Sequence, residues 1–346
     1  MCRQTQELLL KKGHRDMKYI HTESVNPYFN LALYEYVMKH LDISEEYLLV
    51  FENENSVIVG RHQNTFAEIN MDYIEKHNVN VLRRIAGGGA VFQDRGNINF
   101  IVVTDRKHQN DFRTFTKPIV KLFHRLGVSA EFSGRNDILI NGQKVSGNTQ
   151  AVHGNRLMHG GTVLFDMDLE KAALALKPSK AKQSKGVSSV RSRVANVRPL
   201  LTKDYTRETF KRLLIEHLLG TQDIEAATYR LTAKDYENIA SIKHNRYEQW
   251  TWNYGRSPRS EYQKQGRYEG GTLEIHFDLV KGCLQNVKFY GDFFALDTLE
   301  MLEKHLEHVP YRKKDLREVL SKHPIDRYVL NIKNEDVMDC FFKAKA

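Results

Sequence analysis

The sequence predicts an α+β fold whose main sheet is antiparallel or mixed. Three observations support this class: strands follow one another through tight turns, helices separate some of them without regular alternation, and no internal repeat is visible. A doubly wound fold would instead alternate strands and helices regularly. Because 346 residues are more than one hydrophobic core usually serves, we expect two domains.

The first 250 residues contain the clearest secondary-structure signals. Pro27 opens an apolar repeat at helical spacing that ends near Leu41, and proline is favoured at the first position of a helix. The apolar runs 47–51 and 56–60 flank a short polar turn, so we expect them to pair as strands. Further elements are expected as strands at 18–22, 79–84 and 97–103 and as helices at 71–77, 112–126, 169–176, 207–219 and 233–244.

Two turn signals in the middle of the chain indicate hairpins. Asn141-Gly142 lies between short segments at 137–140 and 143–145 that we expect to be strands, and Asn-Gly is the strongest short hairpin signal. Gly154-Asn155 is a second turn of this kind. We therefore expect consecutive antiparallel strands through this part of the sheet.

The character of the sequence changes around residues 249–258. Both tryptophans, Trp250 and Trp252, lie here, and a stretch rich in Gly, Pro and Arg follows. Strands at 272–277 and 285–290 and three helices after Asp297 are expected beyond it. The predicted organisation is a poorly ordered leader at 1–16, a catalytic domain at 17–248, a linker at 249–257 and an accessory domain at 258–346.

The formal net charge of +9 limits the classes of partner that we expect the protein to bind. A basic surface attracts nucleic acid, anionic lipid or acidic proteins. The basic residues are spread along the chain and form no helix-turn-helix or zinc-finger pattern, and the apolar runs are too short to span a bilayer. An acidic protein partner or a phosphate-bearing substrate is favoured over nucleic acid and membrane.

The cysteines indicate the redox compartment. Only Cys2, Cys283 and Cys340 are present, without metal-ligand spacing and too few for a disulfide framework. A reducing cytoplasm is therefore the expected location. The leader also lacks the long apolar stretch of a secretory signal.

The sharpest motif runs from Arg83 to Asn97 and contains Gly87, Gly88 and Gly89 directly after a predicted strand. Glycines allow positive φ and a close approach of the backbone to a ligand, with N–H groups free for anionic oxygens. The two arginines before them supply planar charge for a carboxylate or phosphate. A tight turn alone would also explain three glycines, and the pattern is neither a P-loop nor a dinucleotide fingerprint.

Two further segments contain basic and small residues together. Lys144 follows the Asn-Gly turn and precedes Ser146 and Gly147, so a short hairpin strand can aim its charge into a pocket. The segment 185–196 alternates small and basic residues in a way that suits a flap over phosphates. Ordinary solvated lysines and a charged surface loop are the competing interpretations. His159, which precedes Gly160 and Gly161, is either a pocket residue or a structural histidine.

In combination and in this order, the three segments resemble lipoate–protein ligases. The resemblance extends from about residue 17 to near the end and includes 29–32, 60–64 and 250–255. It implies a catalytic fold shared by biotin and lipoate ligases, followed by a smaller accessory domain. It also implies an enzyme that uses ATP and Mg²⁺ to activate lipoate as an adenylate. The expected acceptors are lipoyl domains of 2-oxoacid dehydrogenase complexes or the glycine cleavage H protein.

The resemblance also assigns residues to the site. Lys144 matches the lysine that contacts the lipoate carboxylate and the α-phosphate, and Asp137 is the implied Mg²⁺ contact. Residues implied to bind lipoate or ATP are Arg84, Gly87, Gly88, Gly89, Ala90, Val91, Phe92, Asn136, Asp137, Ser146, Gly147, His159, Gly161, Lys185, Gly186, Ser189 and Arg191. The accessory domain is expected to swing on the linker between the two half-reactions.

The motif departs from the family pattern at two positions. The usual Phe-His-Asp reads Phe92-Gln93-Asp94, and the usual serine after the arginines is Ala86. Glutamine can donate a hydrogen bond but cannot carry a proton charge. An acid–base role at position 93 is therefore doubtful.

Four alternatives compete with this interpretation. A carrier-to-carrier acyl transferase would use a cysteine nucleophile, but no cysteine lies between Cys2 and Cys283. A transferase that uses lipoyl-AMP made by another enzyme needs no cysteine nucleophile, so the positions of the cysteines do not argue against it. A biotin ligase is disfavoured by the Arg-Arg-x-x-Gly-Gly-Gly block, and a non-catalytic lipoate- or lipoyl-domain-binding module is disfavoured by the intact Lys144.

Overall fold

The computed structural model describes residues 17–134, 136–177, 194–254 and 262–342. Helices in these ranges are α1 (Pro27–His40), α2 (Thr65–Glu68), α3 (Met71–Lys76), α4 (Phe112–Arg125), α5 (Leu169–Ala175), α6 (Arg207–Leu219), α7 (Ile224–Ala227), α8 (Ala233–Ile242), α9 (Trp250–Asn253), α10 (Glu300–Leu306), α11 (Lys313–Lys322) and α12 (Asn334–Phe342). Among the described residues, no helix has the length and apolarity to cross a bilayer. The predicted leader lies outside these residues.

The strands form three sheets. They are β1 (Lys18–Ile20), β2 (Tyr47–Glu52), β3 (Ser56–Val59), β4 (Asn80–Arg83), β5 (Val91–Gln93), β6 (Asn97–Asp105), β7 (Ala130–Ser133), β8 (Asp137–Ile140), β9 (Gln143–His153), β10 (Arg156–Leu164), β11 (Tyr262–Tyr268), β12 (Gly271–Val280) and β13 (Cys283–Gly291). Since sheets and helices mix in this way, the predicted α+β class is confirmed.

The large sheet has the strand order β1-β2-β6-β10-β9-β8-β7. Only β1 and β2 run parallel, and the other neighbours are antiparallel. One face packs on α4 and α6 through residues such as Phe123 and Phe210. The other face packs on α1 and α8 through residues such as Leu31 and Ile239. The sheet is therefore buried on both sides.

The Asn-Gly hairpin is confirmed in detail. Asn141 and Gly142 have φ values of 51° and 75°, and a two-residue type I′ turn requires positive φ at both positions. The turn joins β8 to β9, and the second predicted turn, in which Gly154 has a φ of 56°, joins β9 to β10. These hairpins determine where Lys144 lies in the sheet.

The expected pairing of the strands at 47–51 and 56–60 is wrong. β2 lies between β1 and β6 in the large sheet, while β3 lies between β4 and β5 in a second sheet. Both strands are buried at every position. Strands that are buried on both faces show no alternation of apolar and polar residues, so their sequences do not indicate which strand they pair with. The polar turn between them therefore predicted a bend in the chain but not the strand pairing.

The second sheet, β4-β3-β5, positions the glycine-rich segment. β3 and β4 are parallel, and β3 and β5 are antiparallel. Val57 and Val59 from this sheet pack against Ile74 of α3 and Ala172 of α5. Residues 84–90 connect β4 to β5 at one end of this small sheet.

The C-terminal part of the chain has its own core. The antiparallel sheet β11-β12-β13 packs on α10, α11 and α12 through residues such as Phe289, Leu302 and Phe341. The two predicted strands and the three predicted helices are confirmed within 262–342, whereas β11 was not predicted. The domain boundaries themselves stay predictions.

A chain of buried amides connects α1 to the strands. Asn30 donates to Asn53 at 2.9 Å, Asn53 donates to Gln93 at 2.7 Å, and Gln93 donates to Asn99 at 2.8 Å. Gln93 is 4 % exposed, and both ends of its amide are used. Gln93 is therefore a structural residue, which explains why this position does not need a histidine.

Replacing Gln93 by leucine is expected to destabilise the protein. The change leaves the Asn53 amide donor unpaired in the core, and a buried unpaired group costs about 1–3 kcal/mol. It also leaves the Asn99 oxygen with only the longer bond of 3.4 Å from the Asn97 amide. We expect the free energy of unfolding to fall by about 3 kcal/mol, measured from urea unfolding. Gln263→Leu on an exposed position of β11 is the control. An equal effect of the two substitutions would contradict the structural role of the amide chain.

Candidate functional site

The glycine-rich loop is shaped by close backbone contacts. Gly88 has a φ of +88°, and a Cβ added at Gly60 would lie 1.8 Å from the Gly88 carbonyl oxygen. Glycine is therefore required both in the loop and in the turn beneath it. A Cβ at Gly89 would meet nothing within 4 Å, so this glycine faces open space.

Arg84 holds the loop from inside. Its guanidinium donates to the carbonyl oxygens of Gly87 at 2.5 Å and Gly89 at 2.8 Å, and to that of Ile58 at 3.1 Å. Burial lowers the pKa of Arg84 to about 10, so it stays charged at neutral pH. Because two loop carbonyls turn toward Arg84, N–H groups of the same loop can face a ligand.

Arg83 connects the loop to α9, which lies within the predicted linker 249–257. The side chain is fully buried and donates to the carbonyl oxygens of Gln63 at 2.6 Å and Trp252 at 3.0 Å. It also donates to the Thr65 hydroxyl at 2.8 Å, and the Trp252 indole donates back to the Arg83 carbonyl at 2.8 Å. The two arginines of the motif thus fix the end of β4 and the loop, rather than both projecting into a pocket.

Lys144 lies on β9 immediately after the hairpin turn. Its Nζ is 2.7 Å from Oδ1 of Asp137 on β8, and the two side chains are 34 % and 35 % exposed. A Cβ added at Gly147 would lie 2.8 Å from the Lys144 Nζ. The lysine therefore crosses over Gly147, and the absence of a side chain there gives it room.

Three chain segments meet at Lys144. Thr149, also on β9, donates to the Gly87 carbonyl at 3.0 Å, which connects this strand to the glycine-rich loop. Ala195 donates to the Lys144 carbonyl at 3.0 Å, so the end of the third predicted segment lies beside the lysine. Its predicted site residues Lys185, Gly186, Ser189 and Arg191 lie outside the described residues.

Asn136 and Ser146 support the hairpin that carries Lys144. Asn136 donates to the Asn148 carbonyl at 2.6 Å, and the Asn148 amide donates to the Asn136 carbonyl at 3.1 Å and to the Ser146 hydroxyl at 3.3 Å. Ser146 has no exposed surface. In this structure both predicted site residues make contacts within the protein.

His159 is a buried, neutral residue. Its ring stacks on Phe115 with centroids 4.4 Å apart, and its two nitrogens lie 3.3 Å from the Gln150 amide and 3.2 Å from the Asn148 oxygen. Burial lowers the pKa of His159 to about 3. The histidine therefore carries no charge at neutral pH.

Gly161, and some of the residues that follow the glycine-rich loop 87–89, pack in the core. A Cβ at Gly161 would lie 2.1 Å from the Phe100 ring, so this glycine permits close packing of β10 on β6. Phe92 is 2 % exposed and packs with Val57 and Val59. Ala90 and Val91 are partly buried beside the loop.

The C-terminal region contacts the loop, which the sequence did not predict. The Gly88 N–H donates to the Phe293 carbonyl at 3.3 Å, and the Gly291 N–H donates to the His62 carbonyl at 2.8 Å. The Phe294 ring lies 5.0 Å from that of Phe112. Two adjacent phenylalanines after a strand give no signal of a contact 200 residues away, so only the fold reveals it.

The site therefore divides into two groups. Lys144, Asp137 and Gly147 lie together at partly exposed positions, and β9 connects them through Thr149 to the loop 87–89. A second group of predicted residues is buried in the protein: Phe92, Ser146, His159 and Gly161. Among the described residues, no group of three or more His, Cys, Asp or Glu side chains could hold a metal ion by itself. A cation here would need oxygen atoms from a ligand as well.

Family models match both parts of the chain. The model of the lipoyl protein ligase A/B catalytic domain matches residues 26–219, and that of the bacterial lipoate protein ligase C-terminus matches residues 257–341. The fold and the site thus define a lipoyl-ligase class of protein. Lipoate-protein ligase LplJ of Bacillus subtilis is 40 % identical over 94 % of this chain and 100 % of its own. The chain belongs to the lipoate–protein ligase family.

Solved structures agree with this fold. Plasmodium falciparum LipL1 in complex with lipoate has a TM-score of 0.73 at 23 % identity, with 93 % of this chain and 97 % of that chain covered. Lipoate-protein ligase A bound with ATP has a TM-score of 0.60 at 25 % identity over 70 % and 99 %. The two-part ligase of Thermoplasma acidophilum, studied with its E2 lipoyl domain, has a TM-score of 0.62 at 27 % identity over 72 % and 99 %.

Gly60 and Gly89 provide a matched test of the loop geometry. Gly60→Ala places a methyl group against the Gly88 carbonyl, and forced overpacking of this kind costs about 2 kcal/mol. Gly89→Ala meets open space, so the free energy of unfolding should stay unchanged. Urea unfolding of both variants measures this difference. Equal stability of the two variants would contradict the packing of the turn beneath the loop.

Proposed function

We propose that the surface around Lys144 carries out ATP-dependent lipoate ligation in two steps. In the first, a lipoate carboxylate oxygen attacks the α-phosphorus of ATP, which forms lipoyl-AMP and releases pyrophosphate. In the second, the ε-amine of an acceptor lysine attacks the lipoyl carbonyl carbon, loses a proton, and AMP leaves. The 2.7 Å pair of Lys144 and Asp137, at the meeting point of three chain segments, is the observation that carries this proposal.

Lys144 supplies the charge that the first step needs. Two anions must approach each other, and a fixed cation between them lowers the repulsion. Asp137 neutralises the lysine when no ligand is bound, and its short β8 strand keeps the ammonium group in place. Because the side chain is about one-third exposed, substrate oxygens can reach it.

Asp137 also fits a magnesium contact. Mg²⁺ in nucleotide sites is usually held by one or two carboxylates together with phosphates and waters, and Asp137 is a partly exposed carboxylate beside Lys144. A bound Mg²⁺ would neutralise phosphate charge during the first step. Asp137 would hold the ion, while Lys144 keeps its position over Gly147.

The loop 87–92 and the segment 185–191 are proposed to bind the substrates. Arg84 orients the loop, so that N–H groups of Gly87, Gly89 and Ala90 face anionic oxygens of lipoate or ATP. The attachment of Ala195 to the Lys144 backbone supports a position of Lys185, Gly186, Ser189 and Arg191 beside the adenylate. We propose that a further set of residues supports the walls of this pocket without reaching its surface: Phe92, Asn136, Ser146, His159 and Gly161.

The C-terminal region is proposed to move during the reaction. The Phe293 carbonyl accepts the Gly88 N–H in this structure, so that donor becomes available to a ligand only after the contact opens. We propose an accessory domain at 258–346 that turns on a linker at 249–257, with a catalytic domain at 17–248. The buried hydrogen bonds of Arg83 with α9, which forms residues 250–253 of this linker, support a fixed attachment of the first part of the linker to the catalytic domain.

The acceptor and the location are proposed from the family. Lipoate ligases act on lipoyl-domain proteins, and the T. acidophilum ligase was studied with an E2 lipoyl domain. We propose that this chain uses free lipoate to modify lipoyl domains of 2-oxoacid dehydrogenase complexes or the glycine cleavage H protein. Cys283 and Cys340 form no disulfide within the described residues, which supports the proposal of a reducing cytoplasm.

A transferase that uses lipoyl-AMP made elsewhere is the second candidate. The hydrogen bond from the Gly88 N–H to the Phe293 carbonyl is compatible with this second candidate, because it occupies one donor of the loop. A thioester route is not supported, because Cys340 is buried and Cys283 lies on β13. Lipoate-dependent ATP–pyrophosphate exchange separates the ligase from this transferase.

Lys144→Ala is expected to lower the exchange rate by about a hundredfold or more, as the loss of one preorganised donor does. The measurement is lipoate-dependent ATP–pyrophosphate exchange with purified protein and Mg²⁺, repeated with octanoate and biotin. Lys76→Ala, at an exposed position of α3, is the control and should leave the rate unchanged. An unchanged rate for Lys144→Ala would refute the mechanism.

Gly147→Ala is expected to displace Lys144 without unfolding the protein. The added methyl group would meet only the flexible end of the lysine side chain, so the free energy of unfolding should change by less than about 1 kcal/mol. The exchange rate should fall by roughly tenfold or more because the cation is misplaced. A variant with normal exchange would show that the position over Gly147 does not matter.

A further inference from the structure

The exposed side of α4 carries a row of basic residues. Arg113, Lys117, Lys121 and Arg125 are spaced four residues apart, and all four are exposed. The opposite side of the helix, with residues such as Ile119, packs into the core of the large sheet. The helix from Phe112 to Arg125 contains no Asp or Glu, so it presents a continuous basic face.

Within the described residues, the four cations of this basic face form no ion pair with an acid, in contrast to those of the neighbouring helix. On α6, the partly buried Lys211 pairs with Glu52 and the exposed Arg212 pairs with Glu216. Within the described residues, Arg113 instead lies over the Phe132 ring and Arg125 approaches the His217 ring. Like charges four residues apart repel each other and destabilise a helix, so this arrangement has a cost that folding alone does not explain.

The basic face begins beside the candidate site. Phe112, the residue before Arg113, contacts the rings of His159 and Phe294. Phe294 in turn lies directly against Gly87 of the loop. From Arg113 the row runs away from Phe112 for about 18 Å at 1.5 Å per residue, which is more than half the diameter of a small protein domain.

We propose that the basic face of α4 docks an acidic face of the acceptor lipoyl domain during the second step. The inference rests on the proposed ligase function and assigns a partner surface to it. Charge complementarity beside the site would guide the acceptor and raise its association rate. A membrane fits less well, because none of the exposed large apolar side chains of the described residues lies on α4, so nothing there could insert into lipid.

The double variant Lys117→Gln/Lys121→Gln tests the proposal. It removes two charges at positions that touch neither the loop nor Lys144. The control Lys76→Gln/Lys314→Gln removes the same charge from exposed positions of α3 and α11. Each protein is assayed for lipoate-dependent pyrophosphate exchange, for the KM of an apo E2 lipoyl domain, and for the Kd of that domain by titration calorimetry.

We expect the α4 variant to raise both KM and Kd of the acceptor by about fivefold or more at low salt, through slower association. The exchange rate should be unchanged, and the control should match the wild type in all assays. At 1 M salt, where the Debye length is about 3 Å, the variants should converge. Replacing exposed acids of the lipoyl domain by amides should abolish the difference as well.

Acceptor affinities equal to those of the control would overturn the docking surface. So would a parallel loss of pyrophosphate exchange, because the substitutions would then act on the site itself, or a loss of DNA or anionic-vesicle binding with acceptor binding intact. Absence of exchange in the wild type would overturn the ligase function instead, while the titration would still decide the docking surface.

Discussion

The arrangement of this site depends on one charged group, the ammonium of Lys144. Adenylate formation brings a carboxylate toward a polyphosphate, and the repulsion between them must be offset by positive charge that does not need to reorganise. The hairpin closed by Asn141 and Gly142 fixes the strand, Gly147 leaves room for the side chain, and Asp137 at 2.7 Å holds the ammonium in place. The glycine-rich loop and Ala195 are both bonded to the same strand.

Behind this surface, buried polar groups fix the geometry. Arg83 donates to carbonyl oxygens of two separate segments, Arg84 to carbonyls of the loop, and Gln93 to a neighbouring amide. Buried polar groups are stable only when they are bonded, and removal of one partner costs more than the bond contributes. These residues therefore hold the backbone of the site in position. Sequence similarity to a binding motif does not distinguish this role from direct contact with a ligand.

The features that the sequence predicted correctly are those that depend on neighbouring residues in the chain. The Asn141-Gly142 turn, the helix that begins at Pro27 and the strand before the glycines all have physical signals within a few residues, and the structure contains them. The partner of β3 and the contact of Phe293 with Gly88 depend on residues far apart in the chain, so no local pattern encodes them. The same limit applies to the site: Lys144 was located by its turn, whereas the inward orientation of Ser146 and His159 depends on tertiary packing.

The most direct test of the proposed two-step mechanism is a single-turnover reaction of the protein with lipoate and ATP labelled at the α-phosphate, without an acceptor. If Lys144 and the loop form the adenylate, lipoyl-AMP should appear in an amount close to that of the enzyme and stay bound, and an apo lipoyl domain added later should take up the lipoyl group as AMP is released. Lipoylation of the domain from a supplied adenylate, with no adenylate formed from ATP, would contradict it.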